Sequence, residues 1–181
     1  MTMKTGLICL SIAAIIVFCT LNVATASTGN YSTTFYNNAR HTEGILHSSP
    51  ATPNGIVYIG SGDHNVYALN VDTGAKIWSY TTGSIVWSSP AVANGVVYVG
   101  GQDGNVYALN AKTGTKVWSY TTGSIVFSSP AVANGVVYVG SLDHNVYALD
   151  ARTGAKIWSY TTGNWVLSSP SVPNGRLRRE V

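Results

Sequence analysis

Two Asp-His pairs carry the residue types in this chain that could do chemistry, either as metal ligands or as a general acid and base. Asp63-His64 recurs as Asp143-His144, and the copy between them reads Asp103-Gly104. Adjacent residues on one turn do not converge on a single ion, and a zinc site needs three or four ligands. Because Asp is also a favoured turn residue, the pattern favours a structural role in turns. We therefore predict no catalytic residue and no metal site.

The serine, glycine and cysteine residues indicate no catalysis either. The Ser-Ser-Pro triplets, such as Ser88-Ser89-Pro90, begin strands and have no flanking G-x-S-x-G, so they are not nucleophile elbows. No G-x-x-x-x-G-K-S/T occurs, which excludes a phosphate loop of that type. Cys9 and Cys19 both lie in the N-terminal leader, so no thiol follows it. The sequence thus predicts a non-enzymatic protein without a cofactor.

The amino-acid composition indicates a class of fold and excludes one class of partner. Of the 181 residues, 45% are hydrophobic and only 9% are charged, which allows one domain with a packed core and suits short strands joined by tight turns. The formal net charge of +3 is misleading, because Lys4 lies in the leader and Arg176, Arg178 and Arg179 lie near the C-terminus. No basic stripe runs through the repeats, so nucleic acid is not expected as a partner.

The N-terminus predicts export. Lys4 provides a short positive region, Leu7–Phe18 is apolar, and Ala24-Thr25-Ala26 is a small-residue cleavage site, which are the three parts of a signal peptide. We assign the signal peptide to residues 1–26 and expect a secreted, periplasmic or cell-surface chain with no membrane span after cleavage. The alternative is a retained anchor, because Gly6–Ala26 carries no charge and is long enough to cross a bilayer.

The rest of the chain is dominated by self-similarity at a spacing of about 40 residues. Ser84–Gly123 and Ser124–Gly163 agree at about 32 of 40 positions, which is too many for chance. One tyrosine, one tryptophan and one glycine of a Thr-Gly pair recur in each copy, and we take them as structural positions of the repeat. They are Tyr58, Tyr98, Tyr138, Trp78, Trp118, Trp158, Gly74, Gly114 and Gly154.

Each repeat divides into four strands at its turns. In the copy that begins at Ser84, the first strand is predicted over Ile85–Ala93, and Asn94-Gly95 gives a strong two-residue hairpin signal. The following strands are predicted over Val96–Val99, Asn105–Leu109 and Lys116–Tyr120. No helical periodicity interrupts them, so the fold class is all-β.

The apolar pattern indicates how the repeats pack. Val96–Val99 is apolar without alternation, which is typical of a strand buried on both faces. A single four-stranded sheet cannot bury both faces alone, so the repeats must pack on each other, and radial stacking of such sheets is the β-propeller arrangement. The fourth-strand tryptophan is expected between blades, whereas Trp87 and Trp165 are expected to be variable packing or surface residues. Residues 48–175 thus predict a partial propeller of three full repeats and the first strand of a fourth.

The repeat resembles the pyrroloquinoline-quinone-type (PQQ-like) propeller repeat. The resemblance rests on Val97-Tyr98-Val99-Gly100, Asp103–Ala111, Thr113-Gly114 and Trp118, and it recurs through Asp150–Trp158. It covers about residues 48–170, and no Trp-Asp dipeptide points to a WD40 propeller. The lead-in segment at 27–47 contains Phe35–Thr42, which resembles the opening of many exported members of this family.

The resemblance implies one of two functions. Quinone-dependent alcohol dehydrogenases of this family have eight blades, a calcium ion and a catalytic Asp, whereas many other members bind no quinone and act as scaffolds. Because this chain has few blades and no cysteine after its leader, we expect a binding or scaffold module. Its partner would be another protein or a further copy of itself. A fragment of a PQQ-dependent dehydrogenase is the alternative.

The repeat pattern breaks after Asn174-Gly175, where residues 176–181 form a basic, off-pattern tail. Three blades would leave two apolar sheet faces open to water, and closed propellers have about four to eight blades. Two explanations stay open. The chain is a truncated form of a longer propeller, which the interrupted strand favours, or several chains assemble into a ring.

Overall fold

The computed structural model describes residues 48–172, in which every regular element is a strand apart from one 3-10 turn at Pro53–Gly55. The strands form three antiparallel sheets in which neighbours follow chain order. Blade 1 contains β1 (Ile56–Gly60), β2 (Asn65–Asn70) and β3 (Lys76–Thr81). Blade 2 contains β4 (Ala91–Ala93), β5 (Val96–Gly100), β6 (Asn105–Asn110) and β7 (Lys116–Thr121). Blade 3 contains β8 (Ala131–Ala133), β9 (Val136–Gly140), β10 (Asn145–Asp150) and β11 (Lys156–Thr161). The predicted all-β architecture of propeller blades is confirmed.

The Asn-Gly turns set the register of the first hairpin in blade 2. Asn94 and Gly95 have φ of 50° and 75°, the pair of positive values that a type I′ turn requires. Ala93 then pairs with Val96 directly across the turn. Because side chains alternate along a strand, this register directs Val97 and its neighbour Tyr98 to opposite faces of the sheet.

The core lies between blades rather than inside any one of them. Val97 and Val99 belong to a buried cluster shared with blade 1, whereas Tyr98 belongs to a second cluster shared with blade 3. All three side chains are at most 2% exposed, so β5 is buried on both faces, as its unbroken apolar pattern predicts. Each fully buried valine contributes about 1.5–3 kcal/mol, and blade 2 gains this stabilisation only because it is flanked on both sides.

The first strand of the repeat is shorter than the prediction of Ile85–Ala93. Only Ala91–Ala93 pairs as a strand, and the residues before it connect blade 1 to blade 2. The Val86 N–H donates to the Ser61 carbonyl at 3.1 Å, and the Gln102 N–H donates to the Ile85 carbonyl at 2.9 Å. The connecting segment therefore uses its backbone groups to join two blades. Pro90, which has no N–H, marks where this connection ends and the strand begins.

Blade 1 also departs from the prediction at its first strand, and the fourth repeat is described only as far as Val172. In blade 1 the first strand is reduced to a single bridge between Ala51 and Tyr58, because Pro53 stands where blade 2 has Ala93 and cannot donate to a ladder. In the fourth repeat no strand forms among the described residues, which end at Val172. A strand needs a paired neighbour, and the described part of this repeat contains none.

Four predictions fall wholly or partly outside the described residues. They are the signal peptide at 1–26, the lead-in segment at 27–47, the last part of the repeat region beyond residue 172, and the basic tail at 176–181. Within residues 48–172, no helix has the length and apolar character needed to cross a membrane.

Candidate functional site

Two of the three recurring tryptophans, Trp78 and Trp118, lie at the two junctions between blades, whereas Trp158 is 45% exposed. The Trp118 indole N–H donates to the Ala151 carbonyl of blade 3 at 2.9 Å, and the Tyr98 hydroxyl donates to the same oxygen at 3.1 Å. The ring of Trp118 lies directly over Gly154, where a Cβ atom would come within 2.7 Å of it. Only glycine fits here, because it also has a φ of 75°.

The junction between blades 1 and 2 repeats the same contacts. Trp78 and Tyr58 donate to the Ala111 carbonyl at 2.9 and 3.0 Å, and Trp78 covers Gly114. We call the side of a blade that carries this tryptophan its tryptophan face, and the opposite side, which carries the Thr-Gly glycine, its glycine face. Each junction therefore joins the tryptophan face of one blade to the glycine face of the next.

The recurring aspartates form a second contact across each junction. Asp103 of blade 2 accepts a hydrogen bond from the Gly83 N–H of blade 1 at 2.9 Å, and it also accepts a short bond from its own Tyr107 hydroxyl. Asp143 of blade 3 does the same with the Gly123 N–H of blade 2, at 2.6 Å. The sequence indicated a role in turns but not this bridging contact. The repeated spacing of Asp and Tyr four residues apart signals only the bond between these two side chains within one blade.

The environment of Asp103 lowers the pKa of its carboxyl group. Burial by itself raises the pKa of Asp103, but the hydrogen bonds from Tyr107, Asn105 and Gly83 outweigh burial and leave the pKa below its usual value. Burial, followed by the hydrogen bond to Asp103, raises the pKa of Tyr107 to about 12. The pair is thus held as a carboxylate that accepts from a neutral phenol.

The histidines of the two Asp-His pairs lie at positions of the turn that have a left-handed backbone. His64 and His144 have φ of 70° and 73°, and Gly104 takes this position in blade 2 with φ of 80°. Both histidine side chains are exposed. The His64 carbonyl accepts bonds from the Thr82 backbone N–H and hydroxyl, each at 2.8 Å. Within residues 48–172, no three His, Cys, Asp or Glu side chains come together in a set that could hold a metal ion.

The Ser-Ser-Pro triplets form a row of hydrogen bonds that crosses the blades. The Ser49 N–H donates to the Ser89 hydroxyl at 2.7 Å, the Ser89 N–H to Ser129 at 2.8 Å, and the Ser129 N–H to Ser169 at 3.0 Å. The first serine of the triplet acts inside its own blade. Ser88 is fully buried and its hydroxyl bonds both the N–H and the carbonyl of Gly100, at 2.6 and 2.9 Å. Both serines of the triplet therefore have a structural role.

An aromatic groove lies beside this serine row. Trp87 and Phe127 stack with ring centroids 5.3 Å apart and planes 17° apart, and together with Leu167, Ser129 and Ser169 they line a cavity of about 370 Å³. We call it the Trp87–Phe127 groove. Trp87 and Phe127 occupy one repeat position, which the structure brings side by side across a junction. Trp165 lies elsewhere and is 62% exposed.

Comparison with known proteins agrees with this geometry. The sequence matches the family model described as outer membrane protein assembly factor BamB over residues 22–162 and again over residues 121–179. No curated protein sequence matches the chain.

Three of the solved structures that match this chain show what it is similar to. BamB from Moraxella catarrhalis is 25% identical with a TM-score of 0.58, covering 65% of this chain and 37% of that one. The quinohemoprotein alcohol dehydrogenase ADHIIG from Pseudomonas putida HK5 is 30% identical with a TM-score of 0.60, covering 66% and 21%. A europium-containing methanol dehydrogenase is 26% identical with a TM-score of 0.56, covering 62% and 24%. The chain thus spans 37% of the length of the solved BamB and less of either enzyme. Together with the repeated junctions, the family match shows that this chain belongs to the PQQ-like β-propeller repeat family whose model is described as outer membrane protein assembly factor BamB.

Proposed function

We propose that this chain is an exported or cell-surface propeller protein that acts as a non-enzymatic binding or scaffold module. The observation that carries the proposal is the use of the recurring polar side chains. At both junctions the aspartate and the second serine of the Ser-Ser-Pro triplet of one blade accept a hydrogen bond from the preceding blade in the same way. Catalysis needs an asymmetric group around one reacting atom, whereas repeated blades present equivalent surfaces to a partner.

The Trp87–Phe127 groove is the surface that best suits such a partner. The repeats are almost constant in sequence, yet the groove position changes from Trp87 to Phe127 to Leu167. Trp87 and Phe127 are half-buried and Leu167 is exposed, so variation at this apolar position makes the surface of the groove differ from blade to blade. Aromatic side chains are enriched among residues that dominate protein interfaces, and Leu167 is 56% exposed. The proposed partner is a protein that inserts apolar side chains beside the stacked rings.

Site-specific photo-crosslinking in the host cell tests this surface. A photoreactive residue at position 167 should form one discrete adduct with another protein, and Phe127→Ser should reduce the adduct at least severalfold. Position 117 is the control, because Val117 is 49% exposed and does not line the groove. An equally strong adduct at position 117, or an adduct that Phe127→Ser leaves unchanged, would contradict the proposal.

The export part of the proposal rests on the N-terminal sequence. Its three signal-peptide features predict cleavage after Ala26. Mass spectrometry of the chain isolated from the expressing cell should find a mature N-terminus at Ser27 and place the protein in an extracytoplasmic fraction. A cytoplasmic chain that keeps residues 1–26 would refute export, and a membrane-bound chain that keeps them would support the anchor alternative.

A fragment of a PQQ-dependent dehydrogenase is the second candidate, and the similarity to two solved alcohol dehydrogenases favours it. The described residues do not fit a calcium and quinone site, because Asp103 and Asp143 already accept bonds from tyrosine hydroxyls and backbone N–H groups. We therefore assign these residues no step in such chemistry. Adding quinone with calcium while following absorbance and Tm separates the candidates. A saturable rise in Tm would favour the dehydrogenase fragment, and an unchanged Tm would favour the binding module.

A further inference from the structure

The edge strand of every blade carries a lysine and an exposed apolar residue side by side. β3, β7 and β11 each stand at the end of the strand order of their sheet, and each begins with Lys-Ile or Lys-Val. Ile77, Val117 and Ile157 are 45%, 49% and 53% exposed. Because the three values nearly agree, this exposure belongs to the repeat itself and does not depend on which neighbours a blade has.

A β-bulge brings the two residues of each pair together. In blade 2 the ladder shifts between Lys116, which pairs with Leu109, and Trp118. Val117 is the extra residue, and it lies with Lys116 opposite Leu109. The same shift occurs in blades 1 and 3. Bulges and lysines both keep an edge strand from pairing with a further strand, but that role does not require an exposed Ile or Val, so the apolar member of the pair needs another explanation.

Each blade has two ends that carry different turns. Neighbouring strands are antiparallel, so the turns before and after β6 lie at opposite ends of blade 2. The turn before β6 contains Asp103, and the turn after it contains Lys112 with Thr113-Gly114. The same arrangement holds in blades 1 and 3. We call these the aspartate end and the Thr-Gly end of the blades.

The fold sorts the charged side chains between these two ends. Residues 48–172 contain five basic and five acidic side chains, so they are neutral in sequence. All five basic side chains belong to the Thr-Gly end and are exposed. Two aspartates accompany them, which leaves this end at +3, and the other three leave the aspartate end at −3. The basic residues are Lys76, Lys112, Lys116, Arg152 and Lys156, and the two aspartates beside them are Asp72 and Asp150.

We propose that the Thr-Gly end docks on an anionic lipid surface through the three Lys-Ile and Lys-Val pairs. We call these pairs the lysine rim, which consists of residues 76–77, 116–117 and 156–157. Anionic headgroups spread negative charge over a plane, and each basic residue held near that plane adds to the attraction. The Ile and Val side chains would enter the boundary between headgroups and acyl chains, where burial of apolar area adds to the binding strength.

The exposed apolar side chains favour a lipid surface over other polyanions. A nucleic acid would use only the charges, because its phosphate backbone presents no apolar layer in which Val117 and Ile157 could be buried. The rim is a row of equivalent groups, which suits a continuous surface better than a single small anion. The inference stands apart from the proposed role of the Trp87–Phe127 groove, since no residue of the rim lines that groove.

Co-sedimentation with vesicles tests this surface on the chain isolated from the expressing cell. The wild-type chain should bind phosphatidylcholine vesicles that contain about 30% phosphatidylglycerol, and binding should weaken between about 0.05 and 0.5 M NaCl as the charges are screened. The triple variant Lys76→Gln, Lys116→Gln, Lys156→Gln should bind about 100-fold more weakly, since each lysine near an anionic surface contributes a factor of about five. Its Tm should equal that of the wild type, because the three side chains are exposed.

The basic tail at 176–181 provides the matched control for charge. The variant Arg176→Gln, Arg178→Gln, Arg179→Gln removes the same charge from outside the lysine rim, and most of the binding should remain. A further variant, Val117→Ser with Ile157→Ser, keeps every charge. It should weaken binding to the anionic vesicles severalfold and leave binding to heparin unchanged, because heparin is a polyanion without an apolar layer.

Three results would overturn the inference. The first is equal binding of the wild-type chain to vesicles of phosphatidylcholine alone. The second is a loss of binding in the tail variant as large as in the lysine variant. The third is vesicle binding that Val117→Ser with Ile157→Ser leaves unchanged, which would indicate a polyanion other than a lipid surface as the partner.

Discussion

The carboxylate of Asp143 in blade 3 accepts a 2.6 Å hydrogen bond from the backbone N–H of Gly123 in blade 2. The same carboxylate accepts from the Tyr147 hydroxyl at 2.6 Å, so one side chain fixes both its own turn and the neighbouring blade. Asp103 holds the first junction in the same way. The stability of the junctions should therefore depend on two kinds of titrating group. These are the aspartate carboxyl at acidic pH and the tyrosine hydroxyl at alkaline pH.

Acidification should destabilise the chain through its aspartates. The folded-state pKa values of Asp103 and Asp143 lie below the usual value because hydrogen bonds outweigh burial. The folded state therefore holds fewer protons than the unfolded state, so the stabilisation is complete above the unfolded pKa of about 3.9 and is lost as pH falls through the folded pKa. Urea unfolding between pH 7 and pH 2 should show this loss.

The double variant Asp103→Asn, Asp143→Asn should be less stable at pH 7. Its free energy of unfolding should also fall less steeply than that of the wild type as the pH is lowered. Asp72→Asn is the control, because Asp72 is exposed in a turn and makes no contact across a junction. If the free energy of unfolding falls equally steeply with acidification in the double variant and in the wild type, these two carboxylates are not the source of the acid sensitivity.

Alkaline conditions should destabilise the same junctions through tyrosine. Burial, and then the bond to the neighbouring aspartate, raise the pKa values of Tyr107 and Tyr147 to about 12. The folded state therefore retains protons that the unfolded state has lost, so this stabilisation is complete below about pH 10 and falls as pH rises from about 10 towards 12. Absorbance of tyrosinate should follow unfolding over this range, and Tyr107→Phe with Tyr147→Phe should remove part of the pH dependence. Identical alkaline profiles would contradict the assignment.

Gly114→Ala should cost more than Gly95→Ala, although both residues have nearly the same positive φ, 73° and 75°. Both substitutions cost about 1 kcal/mol or more for placing a Cβ in the left-handed region. At Gly114 the Cβ would also lie 2.7 Å from the Trp78 ring, whereas at Gly95 it meets nothing within 4 Å. We expect an additional loss of about 1–3 kcal/mol for overpacking, measured by denaturant unfolding. Equal losses in the two variants would mean that the Trp78 ring accommodates the added methyl group without a penalty, which would contradict tight packing on Gly114.

Ser88→Ala should destabilise the chain by about 1–3 kcal/mol, because it leaves the buried Gly100 N–H without its acceptor. Ser168→Ala is the matched control, since Ser168 holds the same repeat position but is exposed. We expect a change within about 0.5 kcal/mol for the control. Denaturant unfolding compares the two, and a Ser88→Ala variant as stable as Ser168→Ala would contradict a structural role for the triplet.

Several features of the fold could be predicted from sequence because they depend on local chemistry. The Asn94-Gly95 pair predicts a type I′ turn, and the turn fixes the register of the strands beside it. The unbroken apolar run at Val96–Val99 predicts a strand buried on both faces, and a repeat of such strands predicts stacked sheets. The sequence could not predict that Ile85–Pro90 would leave the strand, because its backbone bonds are made to loops of two different blades.

The contacts that hold the blades together were decided only by the tertiary structure. Asp143 and Gly123 are 20 residues apart, and nothing local to either one indicates that the turn of one blade reaches the backbone of another. Trp87 and Phe127 likewise look like independent surface positions until stacking of the blades brings their rings together. The sequence by itself determined the repeat, its strands and its turns, since these follow from the conformational preferences of neighbouring residues. The junctions and the groove required the tertiary structure, because they form between groups that only the packing of one sheet on the next brings into contact.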